Sequence, residues 1–261
     1  MKLEDHVIEV EREGAATFIS MCFAPHNLMG KALMDGLISA LKQAELDGAR
    51  AIVLRSKLRN FCAGADLTLF ENKGAAIYDR QFEILNYLEA IEAISVPMIA
   101  SVHGLAVGGG LELALACDII IAADSARLGS VEVTLGVHPL MGGIQRVAAR
   151  AGVARAKEMA LLGRRYDAAT LETWGIVNTV VPEVRLDEVT RTIAQELAHG
   201  PTKANSATKA LVTKYLNEGM ASADHAMFEL QRPIFESNDL AIGLKAFHDF
   251  NSPGRAIFTG H

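Results

Sequence analysis

The run Gly108-Gly109-Gly110-Leu111-Glu112-Leu113-Ala114-Leu115-Ala116-Cys117-Asp118 decides how this chain is read. Contiguous glycines give way at once to strong helix formers, with one carboxylate in an otherwise apolar stretch. Glycines let backbone N–H groups approach a ligand with no side chain in the way. The helix that follows leaves its first N–H groups unpaired and turns the positive end of its dipole toward the glycines. Glu112 falls about one turn in, with Leu115 and Ala116 on its own face. A carboxylate among such neighbours is expensive to bury unless it has a task. The plain alternative is a tight turn between strand and helix, with the acid reaching out to solvent.

Around this run the pattern is that of an α/β protein. Upstream, 6–13 and 15–23 read as two strands parted at Gly14, a hairpin-like opening. Pro25-His26-Asn27 breaks the pattern, and 28–46 then carries Leu33, Leu37 and Leu41 with Met34 and Ile38 at helical spacing. Ala51-Ile52-Val53-Leu54 is wholly apolar, as buried parallel strands are. The loop Arg59-Asn60-Phe61-Cys62-Ala63-Gly64-Ala65-Asp66 follows it. Phe82, Leu85, Leu88 and Ile91, with Ala90 and Ile94, predict a helix that stops before Pro97. Met98-Ile99-Ala100-Ser101-Val102 is a second buried strand entering the glycines, and 118–123 is a third. Strand–helix–strand repetition predicts a mostly parallel sheet with crossover helices.

Downstream, Ala126-Arg127-Leu128-Gly129 reads as a short strand and is followed by a loop holding Glu132. Gly142-Gly143 opens a helix through Arg150, and 153–162 forms the next. A short helix at 168–174 and a strand at 176–181 lead to Pro182. From Leu186 the chain reads as four helices with no late strand. The expected organisation is therefore a core domain at 1–185 and a helical C-terminal region at 186–261.

Composition narrows the functions. The 261 residues are 50% hydrophobic and 21% charged, a globular balance. A net charge of −6 with mixed signs gives no electrostatic footprint for nucleic acid. The three cysteines, Cys22, Cys62 and Cys117, lie far apart among apolar residues and read as reduced thiols. The first residues lack the apolar run of a signal peptide, and no run is long enough to span a bilayer. The expectation is a soluble, cytoplasmic protein with no membrane partner.

The common catalytic motifs are missing: there is no Gly-x-Ser-x-Gly elbow, Walker loop or His-Glu-x-x-His. The glycine triplet also fails the dinucleotide fingerprint. The eight histidines are scattered, and His225 with Glu229 make only a pair, so no metal is expected. What remains is two glycine loops and two carboxylates. Both loops follow neighbouring parallel strands, so both emerge at the carboxyl end of the sheet, where open α/β folds bind ligands. Each can offer a backbone N–H, and two such donors can polarise one carbonyl oxygen. Glu112 and Glu132 would flank that point and could hold a water between them. Taken alone, Glu132 is a surface-loop acid, Cys62 a small buried thiol, and Arg146 a partner for local carbonyls or carboxylates. His103 and His138 are set aside as catalysts.

These residues resemble the crotonase family, whose members include the enoyl-CoA hydratases. The matching stretches are Phe61-Cys62-Ala63-Gly64-Ala65-Asp66-Leu67, the run from Val96-Pro97 through Gly110, Leu111 through Asp118, Gly129-Ser130-Val131-Glu132-Val133-Thr134-Leu135-Gly136-Val137, and Gly142-Gly143-Ile144-Gln145-Arg146. The resemblance spans nearly the whole chain. It implies an α/β core of repeated β-β-α units and a helical C-terminal region that forms homotrimers, commonly stacked as hexamers.

The resemblance also implies a reaction. The family stabilises the enolate of an acyl-CoA thioester, with an oxyanion hole that maps onto the backbone N–H groups of Ala65 and Gly109. In hydratases two carboxylates orient a water for syn addition to a 2-enoyl-CoA, and here they fall on Glu112 and Glu132. Glu132 would exchange the proton at the α carbon and Glu112 would help activate the water. Ala63, Gly64, Asp66, Gly108, Leu140 and Met141 would line the substrate site. No cofactor is implied, since CoA is part of the substrate.

Three alternatives stand beside hydration. One is Δ3–Δ2 isomerisation, which can run on one carboxylate at the Glu132 position. Another is hydrolysis or decarboxylation through the same enolate. The last is a non-catalytic member binding RNA or a protein, for which Lys203, Lys209 and Lys214 are the basic cluster. Three departures from the pattern bear on the site. Val131 stands where hydratases commonly have proline, Leu140-Met141 replace the usual Gly-Ala, and the tail lacks a Glu-Lys-Arg cluster, leaving Arg255 as its basic residue.

Overall fold

The apolar runs form the middle of a six-stranded sheet in the computed structural model, which describes residues 7–69, 81–251 and 256–261. The chain begins β1 (Ile8–Glu13), β2 (Ala16–Met21), α1 (Lys31–Leu46), β3 (Ala51–Ser56), α2 (Gln81–Glu92) and β4 (Met98–Val102). It continues β5 (Leu105–Val107), α3 (Gly109–Leu115), β6 (Ile119–Ala123), β7 (Arg127–Gly129) and α4 (Gly143–Leu162). Then come β8 (Tyr166–Asp167), α5 (Ala168–Thr173) and β9 (Thr179–Val181), followed by α6 (Leu186–Ala198), α7 (Thr202–Glu218), α8 (Met220–Phe235) and α9 (Asn238–Phe250).

The main sheet runs β1-β2-β3-β4-β6-β9, antiparallel at β1/β2 and parallel thereafter. Every residue of β2 and β4 is buried, which is why those segments are mostly apolar rather than alternating, with only Thr17, Ser20 and Ser101 polar among them. β1 is the exposed edge and carries Glu9, Glu11, Arg12 and Glu13, charges that discourage pairing with another strand. α1 buries Leu33, Met34, Leu37 and Leu41, the stripe its spacing predicts.

A second, three-stranded sheet, β5-β7-β8, stands beside the first. Its strands are two or three residues long, too short to show a period, so β5 and β8 are legible in the sequence only as loop. The strand expected at 176–181 is ordered as β9 over its last residues only. The two helices expected at 142–150 and 153–162 form α4, broken at Gly152 by φ 81°, ψ 163°.

The boundary expected between 185 and 186 falls at the start of a helix that belongs to the core. α6 buries Leu186, Thr190, Ala194 and Ala198, one stripe at four-residue spacing, against β2, β3, β4 and β6. Thr190 Oγ1 lies 3.0 Å from Ser101 Oγ of β4. A sheet buried on both faces needs a helix layer on each, and α6 supplies part of one. The core thus extends through Ala198, and the helices beyond it are α7, α8 and α9, of which α7 and α8 pack on each other. The segment 256–261 folds back: Asp239 accepts the N–H groups of Thr259 and Gly260 at 2.7 and 3.0 Å, and Arg50 Nη1 donates to Phe258 O at 3.2 Å. Arg255 lies outside the described residues.

Candidate active site

The two glycine loops meet because β3 and β4 are parallel neighbours and β5 stitches the first loop to the second. Cys62 N–H donates to Leu105 O at 3.0 Å and Val107 N–H to Cys62 O at 3.2 Å. Gly110 tolerates this approach only without a side chain, since a β-carbon there would lie 2.1 Å from Cys62 O. Gly108 caps α3 at φ 55°, ψ −126°, a conformation that favours glycine, and turns the chain from β5 into the helix. Ala65 N–H and Gly109 N–H have no acceptor among the described residues, and a β-carbon on Gly109 would lie 3.8 Å from Ala65 N. The two donors are therefore close and unpaired among the described residues, with Gly109 at the N-terminus of α3.

Glu112 projects from the first turn of α3 and is 3% exposed. Its Oε1 accepts Met141 N–H at 2.8 Å and Gly143 N–H at 2.9 Å, where α4 begins. Oε2 has no protein partner among the described residues. Burial pushes its pKa up to about 7, opposed by the two N–H groups and by Arg146 and reinforced by the nearby Glu132. The acid therefore changes charge near neutral pH, the range in which a general acid or base works best.

Glu132 opens the 3-10 turn Glu132–Leu135 after β7. Ser130 Oγ, itself buried, donates to its Oε2 at 2.7 Å, while Oε1 is buried without a partner. Gly108 N–H donates to Gly129 O at 2.9 Å, which fastens the strand before Glu132 to the glycine turn. In consequence Oε1 stands over Gly108, 3.5 Å from where a β-carbon would be. The parallel pairing of β7 with β5 thus brings Glu132 beside the glycine turn.

A cavity of about 590 Å³ opens in front of these groups. All ten residues singled out in the sequence line it: Glu112, Glu132, Ala65, Gly109, Ala63, Gly64, Asp66, Gly108, Leu140 and Met141. Their contributions differ. Met141 gives Glu112 a backbone N–H, and Asp66 spends Oδ1 on Thr68 N–H at 3.0 Å, ending the loop. The remaining wall is largely apolar, with Met29, Met34, Ile84 and Tyr87 among its residues. Sequence reading missed Ser130 and Met29; a serine two residues before an acid and a methionine after a break carry no pattern.

The residues set aside in the sequence have structural partners. Arg146 pairs with Glu92 through Nε at 2.9 Å and donates to Gly142 O at 3.2 Å. His103 Nε2 lies 2.7 Å from Leu58 O, and His138 Nδ1 lies 2.7 Å from Pro139 O. The Cys62 thiol donates to Asn27 O at 3.0 Å, and burial pushes its pKa to about 12. No group of three or more His, Cys, Asp and Glu able to hold a metal ion occurs among the described residues.

Chemically, the arrangement suits a reaction that builds negative charge on a carbonyl oxygen beside two carboxylates. Comparison with known proteins gives the family. The family model described as enoyl-CoA hydratase/isomerase matches residues 13–253. A Rhizobium meliloti (strain 1021) protein named probable enoyl-CoA hydratase is 38% identical over 223 residues, covering 85% of this chain and 86% of its own. Enoyl-CoA isomerase/hydratase fer4 of Mycosarcoma maydis is 34% identical over 213 residues, 81% of this chain and 77% of its own. The crystal structure of enoyl-CoA hydratase from Bacillus anthracis superposes with a TM-score of 0.90 at 30% identity, covering 98% of this chain and all of that one. With the crotonase fold shared over 98% of its length, this chain belongs to the enoyl-CoA hydratase/isomerase family.

Proposed function

We propose that the protein hydrates 2-enoyl-CoA thioesters to 3-hydroxyacyl-CoA. The observation that carries this reading is the pair of carboxylates on one cavity beside two N–H groups, with Glu112 Oε2, Glu132 Oε1 and both N–H groups unpartnered among the described residues. The thioester oxygen accepts from Ala65 and Gly109. As charge builds there, these fixed donors stabilise the enolate more than the ground state. Ionised Glu112 takes a proton from water while the water oxygen bonds to C3. Glu132 passes a proton to C2 on the same face, and exchange with solvent restores its proton while Glu112 releases its own. This reading calls for no cofactor beyond the CoA that the substrate itself carries.

Isomerisation of a 3-enoyl-CoA is the second reading. It needs Glu132 alone to move a proton between C2 and C4, and the raised pKa of Glu112 favours it below neutral pH. The test is an assay of crotonyl-CoA and longer 2-enoyl-CoAs for loss of ultraviolet absorbance, with 3-enoyl-CoA in parallel. Hydration predicts the loss; its absence at every chain length, with 3-enoyl-CoA consumed, assigns isomerisation. Self-association through the C-terminal helices accompanies either reading. Exposed Phe228, Phe235 and Phe250 on α8 and α9 support it, and light scattering in solution tests it.

A further inference from the structure

Met29 touches both halves of the N–H pair. It forms a parallel bridge with Ala65: Met29 N–H donates to Gly64 O at 2.8 Å, and Asp66 N–H donates to Met29 O at 3.0 Å. Gly64 O belongs to the same peptide unit as Ala65 N–H. Because that unit is planar and trans, turning the oxygen toward Met29 points the N–H the opposite way. The Met29 side chain reaches the other donor. A β-carbon on Gly109 would lie 2.7 Å from Met29 Sδ and 3.5 Å from Cε, so the thioether rests against the Gly109 backbone.

Met29 is itself held in place. Asn27, two residues earlier, is buried at φ 52° and donates through Nδ2 to Ser56 Oγ at 2.8 Å and Phe61 O at 2.9 Å. It accepts Phe23 N–H at 2.8 Å. The glycine run, by contrast, has no side chains of its own to fix where its N–H groups point.

We infer that Met29 is a positioning residue for the oxyanion hole. Its backbone aims Ala65 N–H, and its thioether is the stop that fixes Gly109 relative to Ala65. This inference rests on the acyl-thioester reading of the site. In this reading Met29 acts through the two donors and its side chain acts by shape, so leucine substitutes for it and alanine does not.

The experiment compares Met29→Leu and Met29→Ala in the full chain, using crotonyl-CoA turnover and binding of 4-dimethylaminocinnamoyl-CoA. The absorption of that thioester moves to the red as its carbonyl is polarised, so it reports the N–H pair directly. Met29→Ala is expected to lower kcat by about tenfold or more and to shrink the red shift, with KM changed less than about threefold. Met29→Leu should keep kcat and red shift within about twofold of the parent. Should Met29→Ala lose its cooperative thermal transition, Met29→Val takes its place with a smaller loss expected. Equal red shifts and kcat in parent and truncated variant would overturn the inference, as would an equal loss in Met29→Leu. A parent protein that binds the probe with no red shift would instead overturn the oxyanion-hole reading beneath it.

Discussion

Gly143 both holds Glu112 and leaves room for it. Its N–H donates to Glu112 Oε1 at 2.9 Å, and a β-carbon on it would lie 2.9 Å from Glu112 Cγ and 3.1 Å from that same oxygen. Gly143→Ala must therefore push the carboxylate away from the N–H pair formed with Met141. The expected result is a fall in kcat of about tenfold or more, with a stability loss of about 1–3 kcal/mol from overpacking. Steady-state kinetics with thermal or urea unfolding checks both.

Replacing either carboxylate separates chemistry from folding. Glu112→Gln and Glu132→Gln should each lower kcat by about a hundredfold or more while the fold is kept. In Glu112→Gln the side-chain amide still presents an oxygen to the N–H groups of Met141 and Gly143. Glu112→Ala leaves both without an acceptor and should cost about 1–3 kcal/mol. Circular dichroism melts beside kcat measurements distinguish the variants.

The pKa of Glu112 gives the site a pH signature. Burial raises it from an ordinary 4.5 to about 7. Between those values the native carboxyl keeps a proton that the unfolded chain has released, so stability falls as pH rises through this window. Its contribution is full below about 4.5 and gone above about 7. The difference in unfolding free energy between Glu112→Gln and parent should therefore grow by about 2–3 kcal/mol from about pH 5 to about pH 8. Under the hydratase reading, kcat/KM should fall on the acid side of about pH 7 as Glu112 loses its charge.

Ser130 fixes which oxygen of Glu132 faces the cavity, through its bond to Oε2 at 2.7 Å. Ser130→Ala frees the carboxylate to rotate and should lower kcat by about tenfold with KM little changed. Ser130→Thr keeps the hydroxyl and should restore it. Exchange of the C2 protons of butyryl-CoA in deuterated water, followed by NMR, should fall in the alanine variant in step with kcat.

The two buried thiols should be chemically silent in the folded protein. Burial pushes Cys62 and Cys117 to about 12, and the half-buried Cys22 is raised as well. At about pH 8 the native protein should react with Ellman's reagent at Cys22 alone, and slowly, with Cys62 and Cys117 labelled only after unfolding. Mass mapping of the labelled peptides reads this out, and modification of Cys62 in the folded protein would contradict it.

The sequence by itself determined the elements with a long period and the glycine turn. Unbroken apolar runs such as Ala51-Ile52-Val53-Leu54 have to become buried strands, and contiguous glycines before a helix have to leave N–H groups exposed. It also brought Glu112 under suspicion, because an acid on an apolar helix face must be satisfied locally. Tertiary structure alone decided the rest. Short strands such as β8 exist only by pairing with β7, and α6 belongs to the core because the sheet needs cover on that face. The meeting of Glu132 with Gly108, the bond from Ser130 and the wedge of Met29 against Gly109 depend on how the chain folds back on itself. Their energies lie in distance and burial, which local sequence does not encode. For the same reason the pKa of Glu112 near 7 is a property of the packed site rather than of the residue.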